Sequence, residues 1–345
     1  MSTVVAVTAC DISGTLMLNS RVLKRGGPPA ACLVLFAAAI SATAHAQPYP
    51  SRSIRVVLPF AAGGGLDFVG RIAIQKLAAG LKQSVVADNR GGAGGNIGTE
   101  IVAKAPPDGY TLLIVSNSFT VNPSIYKNAP YDPIKDFAPV SMLTSYPLFL
   151  VVHPSVQVRS IKSLIALAKA RPGALTYGSA GSGTTTHIGG ELFAYMAGVK
   201  LTHIPYKGSA PSLPALISGE VAMSFAATSI VPHIRAGKVV LVAVTGSKRV
   251  SNFPDTPTIA EAGVPGYEAT GWNALFAPAA TDPAIIKRLS EVIVRGLNEP
   301  DAMGVFQKQS LEQASGTPDA LGAIVRTEVA RWPKVVKAAG IEPVQ

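Results

Sequence analysis

From Ser53 onward, short segments rich in Val, Ile and Leu alternate with longer ones that carry apolar residues at helical spacing. Nine of the short segments read as strands: 54–60, 84–89, 111–116, 149–154, 175–180, 201–206, 221–227, 239–246 and 273–279. Most are nearly continuous in apolarity, the mark of a sheet covered on both faces. The helices between them have readable ends. Ser160 precedes Ile161, Leu164, Ile165 and Ala168 on one face, and Pro172-Gly173 stops the run. Thr281-Asp282-Pro283 opens another helix, with Ile286, Leu289, Ile293 and Leu297 inward. Thr317-Pro318 opens a third, carrying Leu321, Ile324, Val325 and Val329, which Pro333 is expected to interrupt. Alternation of this kind predicts an α/β architecture with parallel or mixed sheets.

Charged residues make up 14% and hydrophobic ones 48% of the chain, so there is ample apolar surface to offset the entropy of ordering it. No apolar run reaches the roughly 18 residues that cross a bilayer as a helix. The N-terminus reads as an export signal. Arg21, Lys24 and Arg25 precede an apolar run from Ala30 to Ile40, and Ala44-His45-Ala46 offers small residues where a signal peptidase cuts. Residues 1–46 are expected to be a cleaved leader, with Gln47 the mature start and Met17 an alternative initiator. A buried helix or a single membrane anchor is the competing reading of the same run. Cys32 lies inside that run without Leu three positions before it, which disfavours a lipoprotein.

Cleavage would remove Cys10 and Cys32, the only cysteines, and with them disulfides, thiolate metal sites and cysteine nucleophiles. Three basic residues and Asp11 would leave with the leader, lowering the formal charge from +10 to +8. Lys and Arg are scattered, never more than two in succession, unlike the basic stripe of a nucleic-acid protein.

Glycine-rich turns link strands to helices at 58–67 (LPFAAGGGLD), 89–98 (NRGGAGGNIG), 177–187 (YGSAGSGTTTH) and 205–211 (PYKGSAP). A loop of this kind leaves N–H groups unpaired at the start of a helix, where the helix dipole favours negative charge. In open α/β sheets such loops gather at the carboxyl ends of strands, where ligands bind. Ser and Thr hydroxyls add further donors, and the pattern points to capture of a small anion. Each turn alone also fits a purely structural role. Asp67 reads either as a first-turn acid suited to the helix dipole or as a shaper of the ligand loop. His187 reads as a cap or packing residue or as part of the site, Lys207 as a solvated charge, and Trp272 and Trp332 as packing residues.

Enzyme signatures fail. Residues 92–98 hold one residue too many for G-x-G-x-x-G, and no G-x-S-x-G elbow surrounds a serine. His153, His187, His203 and His233 form no H-E-x-x-H pattern. His187 and Glu191 lie one helical turn apart without a third metal ligand. No catalytic constellation, metal site or cofactor is expected.

These loops, in this order, resemble the Bug-type extracytoplasmic solute-binding receptors of tripartite tricarboxylate transporters. The stretches that carry the likeness are YPSRSIRVVLPFAAGGGLDFVGR, VVADNRGGAGGNIGTEIVAKAPPDGYTLL, YDPIKDFAPVSML, LTYGSAGSGTTTHIGGELF, IPYKGSAPSLPALISGEV, PHIRAGKVVLVAVT, FPDTPTIAEAGVPGYE and KVVKAAGI, running from Tyr49 to Ile341. The resemblance implies a two-domain, clam-like type II periplasmic binding fold with mixed sheets. Residues 47–147 with 268–345 would form one domain and 148–267 an inserted second, joined by two crossing hinge strands. It implies a periplasmic receptor that traps a small organic anion, commonly a carboxylate, and presents it to a two-component membrane permease. A monomer is the default expectation. The alternatives are an extracytoplasmic sensing subunit with the same fold, or an α/β enzyme.

Site roles follow from the resemblance residue by residue. Phe60 with Gly63, Gly64, Gly65 and Asp67 matches the first ligand loop, and Ser116 and Asn117 a second cleft-lining loop. Ser179, Ala180, Gly181, Ser182, Gly183, Thr184, Thr185, Thr186 and His187 match the loop that grips the ligand carboxylate. Tyr206 and Lys207 match the YKG turn. The chain departs from the pattern at Ala61-Ala62, where many members have Pro-Pro, and at Thr186, where many have Pro. Phe225-Ala226-Ala227-Thr228 is apolar apart from its threonine where relatives often carry Asp or Asn. That departure favours a less polar or aromatic carboxylate.

Overall fold

A computed structural model describes residues 49–338 together with 340, 341 and 343; the leader expected over 1–46 lies outside the described residues. The chain opens with β1 (Ile54–Leu58), α1 (Gly65–Leu81), β2 (Val85–Asn89), α2 (Asn96–Ala103), β3 (Thr111–Ser116), α3 (Ser118–Ile125) and a long β4 (Phe137–Pro147). It continues through β5 (Phe149–Val152), α4 (Ile161–Ala170), β6 (Thr176–Ser179), α5 (Thr185–Ala197), β7 (Thr202–Pro205), α6 (Ser209–Ser218), β8 (Met223–Ala226), α7 (Val231–Arg235) and β9 (Val240–Val244). It ends with β10 (Thr270–Pro278), α8 (Pro283–Leu297), α9 (Pro300–Lys308), β11 (Glu312–Gln313) and α10 (Pro318–Ala338).

The strands form two sheets, one in the order β11-β4-β10-β3-β1-β2 and one in the order β7-β6-β8-β5-β9. Both are mixed. β1 is parallel to β2 and β3, whereas β10 is antiparallel to β3 and β4. β6 is parallel to β7 and β8, whereas β5 is antiparallel to β8 and β9. The continuous apolarity of the strands follows from burial on both faces. Val56, Leu58, Leu112 and Ile114 pack with Val69, Leu77, Leu289 and Ile293 from α1 and α8. Their neighbours Val57, Leu113 and Val115 face the other way, onto Phe119, Leu321 and Val325 from α3 and α10. The expected caps form. Ser160 and Ser163 make a reciprocal capping box on α4, and the Asp282 carboxylate accepts from Ala284 N at 2.7 Å on α8.

Two features differ from the sequence expectation. The first is β4, which the alternation test does not find. Opposite β10, Asn273 and Ala274 pair with Thr144 and Met142, and Leu275 and Phe276 with Ser141 and Pro139. Leu143 and Val140 are therefore bulged out of the ladder, and both are fully buried. Each bulge flips the face on which later side chains fall, so Phe137, Val140, Leu143 and Tyr146 are buried at a spacing of three instead of two. The second is α10, which runs through Pro333 to Ala338. The proline forfeits a backbone hydrogen bond, but Trp332 and Val336 on either side pack into a cluster with Val121 and Ile125 of α3. That burial holds the last turns in place.

The chain passes from the first sheet to the second at Leu148 and returns over 245–269. Both crossings meet at the buried Thr245. Its hydroxyl accepts from Leu148 N at 2.7 Å and donates to Ala269 O at 2.5 Å. Backbone bonds from Thr245 N to Leu148 O at 3.0 Å and from Ala269 N to Thr245 O at 2.9 Å complete the tie. No helix among the described residues is long and apolar enough to cross a membrane.

Candidate functional site

The loops after β1, β3 and β6 open at the carboxyl ends of their strands and come together over one cavity of about 40 Å³. The β1–α1 loop supplies Phe60, Gly64, Gly65 and Leu66, and β3 supplies Ser116. The β6–α5 loop supplies Ala180, Thr184, Thr185 and Thr186, while Tyr146, Ser209 and Ala227 complete the wall. None of these residues carries a charged side chain.

Three helices therefore begin at the cavity: α1, α5 and α6. Each lacks a side-chain cap, at Gly64, Thr184 and Gly208 respectively. In α1 the internal ladder starts with Phe68 N donating to Gly64 O at 3.0 Å, which leaves the first-turn N–H groups of Gly65 and Leu66 without helical acceptors. In α5 it starts with His187 N and Ile188 N donating to Thr184 O at 3.0 and 2.9 Å. The N–H groups of Thr185 and Thr186 are left over in the same way. Uncapped N–H groups at helix starts, on a cavity lined by hydroxyl and apolar groups and no charged side chain, are an arrangement that favours an anion.

The remaining polar groups of the loops hold the loops themselves. Asp67 is buried and its oxygens are engaged: Oδ2 accepts from Gly63 N at 2.9 Å and Arg71 Nε at 2.8 Å, and Oδ1 from Asn89 Nδ2 at 3.0 Å. Burial works against its charge, but Arg71, the Gly63 N–H and Asn89 outweigh it and hold the carboxyl below the usual range. Asn89 Nδ2 also donates to Phe60 O at 3.0 Å, so one carboxylate and one amide fix the first loop. Asp67→Ala removes the shared acceptor of the exposed Gly63 N–H and the half-buried Asn89 amide and is expected to cost about 1–2 kcal/mol in urea unfolding, with weaker ligand binding besides. The exposed Arg71 adds little to that figure.

In the β6–α5 loop, Thr184 Oγ1 donates to Gly181 O at 2.6 Å and Thr186 Oγ1 accepts from Ala180 N at 2.8 Å. Ser179 Oγ accepts from Gly181 N at 3.0 Å and shares a 2.6 Å bond with His203 Nε2. His187 Nδ1 accepts from Gly183 N at 3.1 Å, and the two imidazoles stack with centroids 4.1 Å apart. Tyr177 closes this support from below by donating to Glu191 Oε1 at 2.5 Å.

The two sheets' loops also touch each other. Thr185 Oγ1 donates to Asn117 Oδ1, and Tyr126 OH donates to Ser182 O at 3.2 Å. Glycine makes the approach feasible: a Cβ on Gly94 would lie 2.2 Å from Ser182 O.

Of the residues singled out in the sequence, Phe60, Gly64, Gly65, Ser116, Ala180, Thr184, Thr185 and Thr186 meet at the cavity, and Asn117 reaches it through Thr185. Gly63, Asp67, Ser179, Gly183 and His187 stand behind it as loop supports. Gly181, Ser182, Tyr206 and Lys207 line a neighbouring groove of about 200 Å³ with residues 92–95, separated from the cavity by Phe60 and Ala180. There Tyr206 OH donates to Glu220 at 2.8 Å and Lys207 is exposed. Leu66, Ser209 and Ala227 lie in stretches the sequence marked. Tyr146 does not, because it lies near the end of the strand whose bulges hide it. No three His, Cys, Asp or Glu side chains among the described residues converge as metal ligands.

Over residues 69–341 the chain matches the model of the tripartite tricarboxylate transporter family receptor. It is 38% identical to the protein BugT of Bordetella pertussis over 306 residues, which cover 88% of this chain and 94% of that protein. Among solved structures, R. palustris Rpa4515 with adipate aligns at a TM-score of 0.83 and 38% identity, covering 86% of this chain and all 100% of the other. The periplasmic binding protein BugD aligns at 0.83 and 35% identity, with the same shares covered.

Proposed function

The chain belongs to the tripartite tricarboxylate transporter receptor family, a family of receptors and not of enzymes, and on that premise we propose that it captures a small organic carboxylate and hands it to a membrane permease. The observation that carries this reading is the convergence of three uncapped helix N-termini on a cavity without a charged side chain. A carboxylate there accepts from N–H groups already aligned, so little reorganisation is needed on binding. The similarity to a protein whose structure holds adipate supports the same ligand class.

The proposal includes a division into residues 47–147 with 268–345 and an inserted 148–267, with the Thr245 crossings as hinge. It also includes export to the periplasm, in keeping with the similarity to BugD. The cavity of about 40 Å³ has room for a carboxylate headgroup but not for a six-carbon acid. Entry therefore requires the two sides to part and close again, and the ligand draws the equilibrium toward the closed form. The apolar wall at Leu66, Tyr146 and Ala227 favours a hydrocarbon chain beyond the headgroup.

A thermal-shift screen of the purified protein against mono-, di- and tricarboxylates and aromatic acids tests this. A ligand at a hundredfold excess over its dissociation constant adds about 2.7 kcal/mol of stability, so the cognate acid is expected to raise the midpoint by several degrees. Thr185→Ala removes the hydroxyl that reaches Asn117 and is expected to weaken that acid about tenfold with the melting point of the unliganded protein nearly unchanged. A panel that moves no midpoint would overturn the carboxylate assignment.

A further inference from the structure

Behind the ligand cavity, on the side of the chain crossings, lies a second space of about 280 Å³, bounded by Pro147, Thr270 and the charged Lys248, Arg249, Glu268 and Glu312. Tyr146 is the one residue that lines both this space and the ligand cavity. Tyr146 is 7% exposed and stands as a partition. Its position is set by its neighbour across the ladder. Gly271 pairs directly with Tyr146, and a Cβ there would fall 2.5 Å from Cε2 and 2.6 Å from Cζ of the ring. The ring therefore lies flat across β10, in room that only glycine leaves. Burial pushes the phenol up to about 12, so the partition stays neutral and does not repel a carboxylate.

We propose that Tyr146 is the end wall that fixes how long an acid the receptor accepts. This rests on the carboxylate-receptor reading above and adds to it the residue that limits ligand length. On the near side there is room for a headgroup and little more. On the far side, an acid that passed the wall would meet Lys248, whose partner Glu312 is 3.0 Å away in an exposed, readily exchanged pair. The far carboxylate of a long dicarboxylic acid has the charge to take Glu312's place.

The test is calorimetric titration of the purified protein with straight-chain α,ω-dicarboxylates of four to ten carbons, comparing wild type with Tyr146→Ala and Tyr146→Phe. Tyr146→Ala is expected to move the preferred chain length upward by about two carbons and to raise the affinity ratio of long to short acids about tenfold. Tyr146→Phe keeps the ring and is expected to keep the wild-type length preference. If the alanine variant does not fold, Tyr146→Leu lowers the wall less and is read in the same way. A uniform loss across the series, with the preferred length unchanged, would overturn the end-wall role while leaving the receptor reading intact. Wild-type protein that binds no acid of the series or of the wider panel would overturn the receptor reading and this inference together.

Discussion

Gly94→Ala is expected to weaken ligand capture about a hundredfold without unfolding the chain. The added Cβ would meet Ser182 O at 2.2 Å and Tyr126 OH at 2.9 Å. Ser182 O is backbone and cannot swing aside, so the two loops can approach only by distorting. Overpacking of this kind costs about 1–3 kcal/mol, and the part against Ser182 falls on the closed form alone. Gly94 also has φ +62, which adds about 1–2 kcal/mol of strain for alanine in either form. Gly198→Ala separates the two effects. It has nearly the same φ, +61, but nothing within 4 Å of the new carbon. The control is expected to lose stability only, and the Gly94 variant both stability and affinity. Calorimetry and urea unfolding on the pair decide it; equal affinities would mean that the loops do not close on the ligand as the structure has them.

The second large effect is the response to acid. His187 is pushed down to about 3, mainly by burial and further by His203, and burial pushes His203 down to about 4. The hydrogen bonds agree, because His187 Nδ1 must stay unprotonated to accept from Gly183 N. Around these rings stand the Glu191 carboxylate, with its Oε1 3.8 Å from His187 Nε2, and the Tyr177 ring stacked on His203. In the unfolded chain both histidines take up protons near pH 6.5. Between that pH and the folded values the unfolded state binds more protons, so stability falls as pH falls. Each histidine contributes a slope of up to about 1.4 kcal/mol per pH unit. From pH 6.5 to 4.5 the pair is expected to remove about 4 kcal/mol, read from urea unfolding at each pH. His203→Gln is expected to halve the slope; an undiminished slope would place the sensitivity elsewhere. The lowered Asp67 adds its own loss in a separate window, below about pH 4, where the unfolded carboxylate protonates.

Much of this was legible in the sequence because it depends on neighbours close along the chain. A strand buried on both faces must be apolar throughout, and a helix must show its caps and stripe, so β1, β3, α4 and α8 could be read directly. A strand-to-helix turn must be glycine-rich if its N–H groups are to face a ligand, so the loops at Gly63–Gly65 and Ser179–His187 could be read too. Bulges at Val140 and Leu143 put β4 out of reach, and with it Tyr146, because a period-two test fails wherever the ladder skips a residue.

What the sequence alone determined is the chemistry on offer: an α/β chain, family motifs from Tyr49 to Ile341, and helix N-termini primed for an anion. Only the tertiary structure decided how that chemistry is shared out. Asp67 and His187 could be site residues or supports by sequence; their partners Gly63, Asn89 and Gly183 make them supports. Tyr206 and Lys207 match a ligand turn by family resemblance, and in the structure they line a neighbouring groove. The reason is physical. A residue's type fixes which bonds it can make, but its role depends on which partners long-range packing brings within 3 Å of it, and no local pattern encodes that.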